Sequence, residues 1–149
     1  DIKAFAKKVY TQKDMFFLGR GVDYAASMEG SLKVKEISYI HSEAYAGGEL
    51  KHGPIALIEN GVTVIGVITE PKLVEKTISN MQEIITRGAN TLVVTNQVLP
   101  NGHFRSVINP LISPILSIIP LQCLAYYISK NKGLDVDKPR NLAKSVTVE

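Results

Sequence analysis

The stretch Val62-Thr-Val-Ile-Gly-Val-Ile68 decides the fold, because it is rich in β-branched residues and almost entirely apolar. A strand with one wet face alternates polar and apolar residues, whereas a strand covered on both faces is a continuous apolar run. The stretch therefore predicts a central strand with helices on both sides of its sheet. The run from Thr91 to Thr95 has the same character and predicts another buried strand.

Helical and strand patterns alternate on both sides of this stretch. Helices are predicted over 2–12, 24–40, 54–59 and 71–87, strands over Met15–Leu18 and Val107–Ile108, and an irregular segment over 43–53. Such alternation is typical of parallel sheets whose crossover connections are helices. We therefore predict an α/β three-layer sandwich with an open, mostly parallel sheet flanked by helices, in a flavodoxin-like topology.

The segment from Leu111 to Ile128 is apolar enough to suggest a membrane span. It contains Pro114 and Pro120, however, and a spanning helix needs about 20 cleaner apolar residues. We expect a buried helix instead, with Ser113 as its N-cap and its end near Lys132-Gly133. No membrane partner is expected.

Composition narrows the class of protein. The chain has 149 residues, 45% of them apolar and 21% charged, which is typical of one globular domain. Its net charge of +3 and its ten aromatic residues, none of them Trp, are unlike a nucleic-acid-binding surface. The single Cys123 favours a reducing, cytoplasmic location. No metal-ligand spacing is present, so neither metal nor cofactor is expected, and the initial Asp1 suggests a piece of a longer polypeptide.

Three charged residues stand out on the helix predicted over 24–40. Glu29, Lys33 and Glu36 have i, i+4, i+7 spacing and share one helical face. On a helical wheel that face lies within the apolar arc, opposite the serines of the helix. A solvated ion pair is the ordinary explanation of such spacing. The alternative is a buried-facing acid–base site, because charges in an apolar surround are costly unless they are paired or used.

Two glycine-rich segments are candidate ligand sites. His52 lies in Gly48-Glu-Leu-Lys-His-Gly-Pro54; a lone loop histidine is more often structural, but glycines let a ligand approach the backbone closely. Gly19-Arg-Gly21 follows a strand and precedes a helix, which is where open α/β sheets bind ligands and where helix N-termini favour anions.

The C-terminal segment Pro139-Arg-Asn-Leu-Ala-Lys-Ser-Val-Thr-Val-Glu149 surrounds one lysine, Lys144, with small and apolar residues. A short tail of this kind buries little surface and is ordinarily frayed coil. The alternative is that it folds back and delivers an amine to a site.

Four runs carry a family resemblance: Leu18–Gly21, Glu29–Tyr45, Gly48–Pro54 and Asp135–Glu149. They resemble the second, C-terminal sugar-isomerase (SIS) lobe of the glucosamine-6-phosphate synthases, also called glutamine–fructose-6-phosphate aminotransferases (isomerising). The resemblance covers the whole chain, 1–149, including a catalytic tail over 135–149. Lys-His-Gly-Pro occurs in several SIS proteins, whereas the closing tail is highly specific.

The resemblance implies a reaction and a set of roles. The family makes glucosamine 6-phosphate from fructose 6-phosphate and glutamine-derived ammonia, as a homodimer. If the family's roles apply at the matching positions, Lys144 forms a Schiff base with the sugar and Glu36 moves a proton between C1 and C2. His52 of the neighbouring subunit then assists ring opening. Lys33 and Glu29 support proton handling. Ala143 contacts the sugar, and the tail residues Arg140, Asn141 and Leu142 close the site and line the ammonia path.

The chain departs from the family by lacking its glutaminase domain and the first SIS lobe, which holds the sugar phosphate. We therefore predict that this chain alone neither turns over glutamine nor binds fructose 6-phosphate well. Two other functions stay open: a non-catalytic sugar-phosphate-sensing or dimerisation module, and a plain oligomerisation fragment.

Overall fold

The computed structural model describes residues 2–97, 104–105 and 112–142. Its helices and strands follow in chain order as α1 (Ile2–Val9), β1 (Asp14–Gly19), α2 (Val22–Ser38), β2 (His41–Ala46), β3 (Thr63–Ile68), α3 (Val74–Ile85), β4 (Asn90–Thr95), β5 (Phe104–Arg105) and α4 (Ser113–Asn131). Short 3₁₀ turns cover Leu50–His52, Pro54–Leu57 and Pro71–Leu73.

The five strands form one sheet in the order β2-β1-β3-β4-β5, and every neighbouring pair is parallel. The predicted parallel sheet and flavodoxin-like order are thereby confirmed. The chain moves outward from β1 to β2 and then crosses back to β3, so the strand order reverses between β1 and β3. In open α/β sheets such a reversal leaves a crevice at the carboxyl ends of the strands.

Each face of the sheet carries its own apolar core. On one face, Phe17 and Ile65 pack with Leu121 and other residues of α1, α2 and α4. On the other, Leu18 and Val64 pack with Met81 of α3 and with the segment after β2. All six residues of β3 are buried, as the apolar run Val62–Ile68 predicts for a strand covered on both faces.

The segment 43–53, predicted as irregular, contains most of strand β2. Its sequence, His-Ser-Glu-Ala-Tyr-Ala, is polar and only partly buried because β2 lies at the edge of the sheet and pairs with β1 alone. An edge strand needs no apolar run, which explains why hydropathy missed it. The strand predicted at Val107–Ile108 lies outside the described residues.

Helix α4 differs in detail from the prediction. Ile112 occupies the N-cap position, so Ser113 is the first helical residue rather than the cap. The helix ends at Asn131 and Gly133 follows with a positive φ of 72°, as the glycine stop predicts. Cys123, which lies within this helix, is exposed. Among the described residues, no helix is long and apolar enough to cross a membrane.

Candidate active site

Helix α2 buries the face that hydropathy assigned to solvent. Ser27, Ser31 and Ser38 are buried, whereas Met28 is 46% and Leu32 41% exposed. The serine hydroxyls are satisfied locally: Ser27 Oγ donates to the Asp23 carbonyl at 2.8 Å, and Ser38 Oγ to the Val34 carbonyl at 2.6 Å. The prediction that Glu29, Lys33 and Glu36 point into the core is therefore wrong. They lie on the partly exposed side of the helix.

The structure does bring these three side chains together. Lys33 Nζ lies 2.6 Å from Glu36 Oε2 and 3.4 Å from Glu29 Oε1. The side chains of Lys33 and Glu36 are each 28% exposed, so both are accessible and neither is fully solvated. The hydrogen bond to Glu36 raises the pKa of the Lys33 ammonium, outweighing the partial burial that lowers it. Lys33 is thus a fixed cation at neutral pH, which orients the Glu36 carboxylate beside it.

His52 is held apart from this cluster. It ends the 3₁₀ turn after β2, where its Nδ1 lies 2.8 Å from Glu49 Oε2 and its side chain is 69% exposed. Leu50, in the same turn, packs into the core on the α3 side of the sheet. Glu36 belongs to α2, which packs on the other side. The sheet therefore separates His52 from Glu36 within one chain.

The base of the C-terminal tail docks on the end of α2. The guanidinium of Arg140 lies 4.1 Å above the ring of Tyr39, and the Arg140 backbone N–H donates to Tyr39 Oη at 2.9 Å. Lys132 Nζ donates to the Ser38 carbonyl at 2.7 Å. Burial, with the nearby charge of Arg140, lowers the pKa of Lys132. The predicted tail residues Ala143 and Lys144 lie outside the described residues.

Tyr39 is the site residue that sequence reasoning missed. It is the C-cap of α2 and adopts a left-handed conformation with φ 59°. Glycine or asparagine ordinarily takes that position, so an aromatic residue there is unexpected. The residue directly after Ser38 is Tyr39 rather than glycine, so the sequence carries no ordinary signal that the helix ends there. Of the other predicted tail residues, Asn141 has a positive φ of 61° and Leu142 is 52% exposed.

The Gly19-Arg-Gly21 turn lies at the crevice where the strand order reverses. A Cβ on Gly19 would lie 2.3 Å from the Asp23 carbonyl, so only glycine fits there. Asp23 is 2% exposed, and its carboxylate accepts hydrogen bonds from the Thr69 N–H at 2.7 Å, the Glu70 N–H at 3.2 Å and the Thr69 hydroxyl. The Asp23 carboxylate thus accepts the hydrogen bonds of the backbone N–H groups that follow β3, those of Thr69 and Glu70. Burial raises the pKa of Asp23, and these hydrogen bonds offset part of that effect.

Within residues 2–97, 104–105 and 112–142, no group of three or more His, Cys, Asp or Glu side chains is arranged to hold a metal ion.

Comparison with known proteins gives consistent results. A family model described as the SIS domain matches residues 8–128. The glutamine–fructose-6-phosphate aminotransferase (isomerizing) of Clostridium perfringens is 59% identical over 157 residues, which cover 99% of this chain and 26% of the relative. The protein of the same name from Sphingobium yanoikuyae is 48% identical and is covered over 100% of its length.

A solved structure shares the fold. The C-terminal domain of glucosamine-fructose-6-phosphate aminotransferase from Francisella tularensis superposes with a TM-score of 0.84 at 37% identity, over 93% of this chain and 41% of that one. The chain spans about a quarter of the length of most of the curated relatives it matches, 26% in the Clostridium perfringens case.

Proposed function

This chain belongs to the SIS domain family, among the glutamine–fructose-6-phosphate aminotransferases, and we propose that it is their C-terminal isomerase lobe. Its substrates are then fructose 6-phosphate and glutamine-derived ammonia, and its product is glucosamine 6-phosphate. Its partners are a glutaminase domain and a first SIS lobe of the same polypeptide, together with a second subunit. The observation that carries the proposal is the Glu29–Lys33–Glu36 cluster on an accessible helix face, next to the docked base of the lysine-bearing tail.

The chemistry assigned to Glu36 is proton transfer between neighbouring carbons. Lys144 adds its amine to the C2 carbonyl of the open-chain ketose, and loss of water gives a Schiff base. Ammonia then replaces the lysine at C2. Glu36 removes a proton from C1 of the resulting imine and returns a proton to C2, while the proton of the C1 hydroxyl passes to the C2 nitrogen, which gives the C1 aldehyde and C2 amine of the aldose. The Lys33 ammonium, 2.6 Å away, holds the Glu36 carboxylate in place as the group that accepts the proton.

The docked tail supports the assignment of Lys144. Tyr39 follows Glu36 by three residues, and Arg140 rests on Tyr39. Lys144 follows Arg140 by four residues, which span at most about 14 Å of extended chain. The Lys144 amine is therefore within reach of the Glu36 carboxylate. A tail that frays from Gly133 onward would have no such anchor.

The position of His52 supports a homodimer. Within one chain the sheet stands between His52 and Glu36, and β2, the strand before the His52 turn, spans about 20 Å along the sheet. A sugar held at Glu36 therefore meets a His52 only from a second chain. In that arrangement the exposed His52, already paired with Glu49, projects into the neighbouring site as the ring-opening group.

The test of the Glu36 role uses the full-length parent enzyme. Glu36→Gln keeps the size of the side chain and removes the base, so conversion of fructose 6-phosphate is expected to fall by about 10²–10⁴-fold. Glu59→Gln, at an exposed residue before β3, is the matched control and is expected to leave the rate unchanged. Unaltered conversion by Glu36→Gln would exclude the proposed role and favour a non-catalytic sensing or dimerisation module.

A further inference from the structure

The turn that carries His52 is held in place by its two middle residues. Leu50 is 1% exposed and packs into the core on the α3 side of the sheet. Lys51 Nζ lies 2.9 Å from Glu83 Oε1 on α3. The His52 N–H donates to the Glu49 carbonyl at 2.9 Å, which closes the turn. The side chains of Glu49 and His52 are therefore exposed on a turn whose backbone is fixed.

The chain changes direction directly after His52. Gly53 has a φ of 147°, a conformation that residues with a Cβ rarely adopt, and Pro54 then begins the next 3₁₀ turn. A Cβ on Gly53 would meet no other atom within 4 Å, so the backbone conformation rather than packing requires glycine. The His52 side chain is left 69% exposed, and a second molecule can reach its ring.

Glu49 determines which ring nitrogen of His52 is available. Glu49 Oε2 lies 2.8 Å from His52 Nδ1. An ionised carboxylate only accepts hydrogen bonds, so the nitrogen that faces it carries the hydrogen. In the neutral imidazole, Nε2 then carries the free electron pair. Among the described residues, none forms a hydrogen bond with Nε2, so this nitrogen is left to accept a proton from a bound molecule.

The pair of Glu49 and His52 contributes little to the stability of the fold. The two side chains are 67% and 69% exposed, and an exposed pair of this kind is worth at most about 1 kcal/mol. Its effect on the imidazole is specific, however, because it fixes both the orientation of the ring and the position of its hydrogen. A carboxylate that holds a histidine in this way, with the other nitrogen free, is how general bases are oriented in enzymes.

We propose that Glu49 is a positioning residue for the opening of the sugar ring, an inference that rests on the proposed function. In the site of the neighbouring subunit, His52 Nε2 takes the proton of the anomeric C2 hydroxyl while the bond between C2 and the ring oxygen breaks. The electron pair of that bond goes to the ring oxygen, and the proton on Nε2 passes to the same oxygen. The open-chain ketose results and His52 is neutral again. Throughout, the Glu49 carboxylate holds the ring and stabilises the transient imidazolium.

The test compares a cyclic substrate with an open-chain one in the full-length parent enzyme. Fructose 6-phosphate closes a furanose ring through its C5 hydroxyl, whereas 5-deoxyfructose 6-phosphate lacks that hydroxyl and stays open. Glu49→Gln is expected to lower kcat/KM for fructose 6-phosphate by about 5–20-fold, the loss of one charge-assisted hydrogen bond. For the 5-deoxy substrate kcat/KM is expected to be unchanged. Equal losses with both substrates, or no loss with either, would contradict the role of Glu49.

A matched control separates the carboxylate from the turn that carries it. Glu83→Gln breaks the ion pair with the neighbouring Lys51 and leaves Glu49 beside His52. The ratio of the two kcat/KM values is therefore expected to be that of the wild type. A ratio altered as much as in Glu49→Gln would attribute the effect to loosening of the turn and overturn the proposal.

A double-mutant cycle shows whether Glu49 acts through His52. In a His52→Asn background, Glu49→Gln is expected to cause no further loss with either substrate; a further loss of similar size would contradict the proposal. If His52→Asn lowers kcat/KM equally for both substrates, the ring-opening role of His52 is itself wrong, and the role of Glu49 with it. If His52→Asn affects only fructose 6-phosphate and Glu49→Gln affects neither substrate, the role of Glu49 alone is overturned.

Discussion

At the scale of single residues, Tyr39 anchors the tail through two contacts of different kinds. Its ring lies under the Arg140 guanidinium, and its hydroxyl accepts the Arg140 N–H. Tyr39→Phe keeps the ring and removes the acceptor, so it weakens the docking by about 1 kcal/mol. We expect exchange of the Arg140 amide hydrogen to accelerate about fivefold, as measured by NMR.

The control for this prediction lies at the other end of the same helix. Tyr24→Phe also removes one phenolic hydroxyl but touches no tail residue that the structure describes, so exchange at Arg140 is expected to be unchanged. Equal exchange rates in Tyr39→Phe and the wild type would show that the hydroxyl does not hold the tail.

Asp23 illustrates how one buried carboxylate connects two loops. Asp23→Asn leaves one acceptor oxygen and adds an N–H₂ donor that faces the donors of Thr69 or Glu70. We expect the free energy of unfolding in urea to fall by about 1–3 kcal/mol. An unchanged unfolding midpoint would contradict this account of the turn.

The same residue predicts a pH dependence with a definite sign. Burial raises the pKa of Asp23 above its ordinary 3.8, so the folded state binds this proton more tightly than the unfolded state does. The contribution of Asp23 to stability therefore declines as the pH rises from 3.8 through the raised pKa. The difference in unfolding free energy between wild type and Asp23→Asn is expected to be larger near pH 4 than at pH 7. A difference that grows toward pH 7 would contradict the raised pKa.

At the scale of elements, α2 shows what hydropathy predicts and what it misses. The spacing of Glu29, Lys33 and Glu36 correctly places them on one face, because that follows from helical geometry alone. The choice of buried face was wrong, because small serines with satisfied hydroxyls pack closer to a neighbouring helix than methionine or leucine would. Side-chain volume and local hydrogen bonds, which hydropathy ignores, decide the orientation.

Gly30 tests this close packing directly. A Cβ at Gly30 would lie 2.7 Å from Leu121 Cδ1 and 3.0 Å from Phe17 Cε1. Gly30→Ala therefore forces α2 away from α4 and β1, which costs about 1–3 kcal/mol and outweighs the helix propensity gained. Thermal unfolding should show a lower midpoint. Leu32→Ala, on the exposed side of the same helix, is expected to change stability by less than about 0.5 kcal/mol. A greater loss of stability in Leu32→Ala than in Gly30→Ala would contradict this packing and favour the orientation predicted from hydropathy, with Leu32 buried.

At the scale of the whole molecule, the parallel sheet was predictable because β3 is apolar along most of its length and β4 has the apolar centre Leu92-Val-Val94. The edge strand β2 was not, because its half-exposed residues carry no apolar pattern. The site was also only partly predictable. Helical spacing brings Glu29, Lys33 and Glu36 together, whereas the docking of Arg140 on Tyr39 joins residues 101 positions apart. No local pattern encodes such a contact.

The proposed contribution of His52 from a second subunit predicts complementation in the parent enzyme. Glu36→Gln and His52→Asn subunits are each expected to be inactive alone. After mixing and exchange, half of the dimers carry one intact site, so about a quarter of wild-type activity is expected to return for a twofold dimer. If no activity returns although native mass spectrometry shows mixed dimers, His52 and Glu36 act within one subunit.

The central claim is that Lys144 acts on a sugar carbonyl beside Glu36, and borohydride trapping tests it most directly. The full-length parent is incubated with fructose 6-phosphate, reduced, digested and analysed by mass spectrometry. The account predicts a reduced sugar adduct on Lys144 in the wild type and in Glu36→Gln, because Schiff base formation precedes proton transfer, and none in Lys144→Arg. An adduct at another lysine, or no adduct from an enzyme that converts its substrate, would contradict the account.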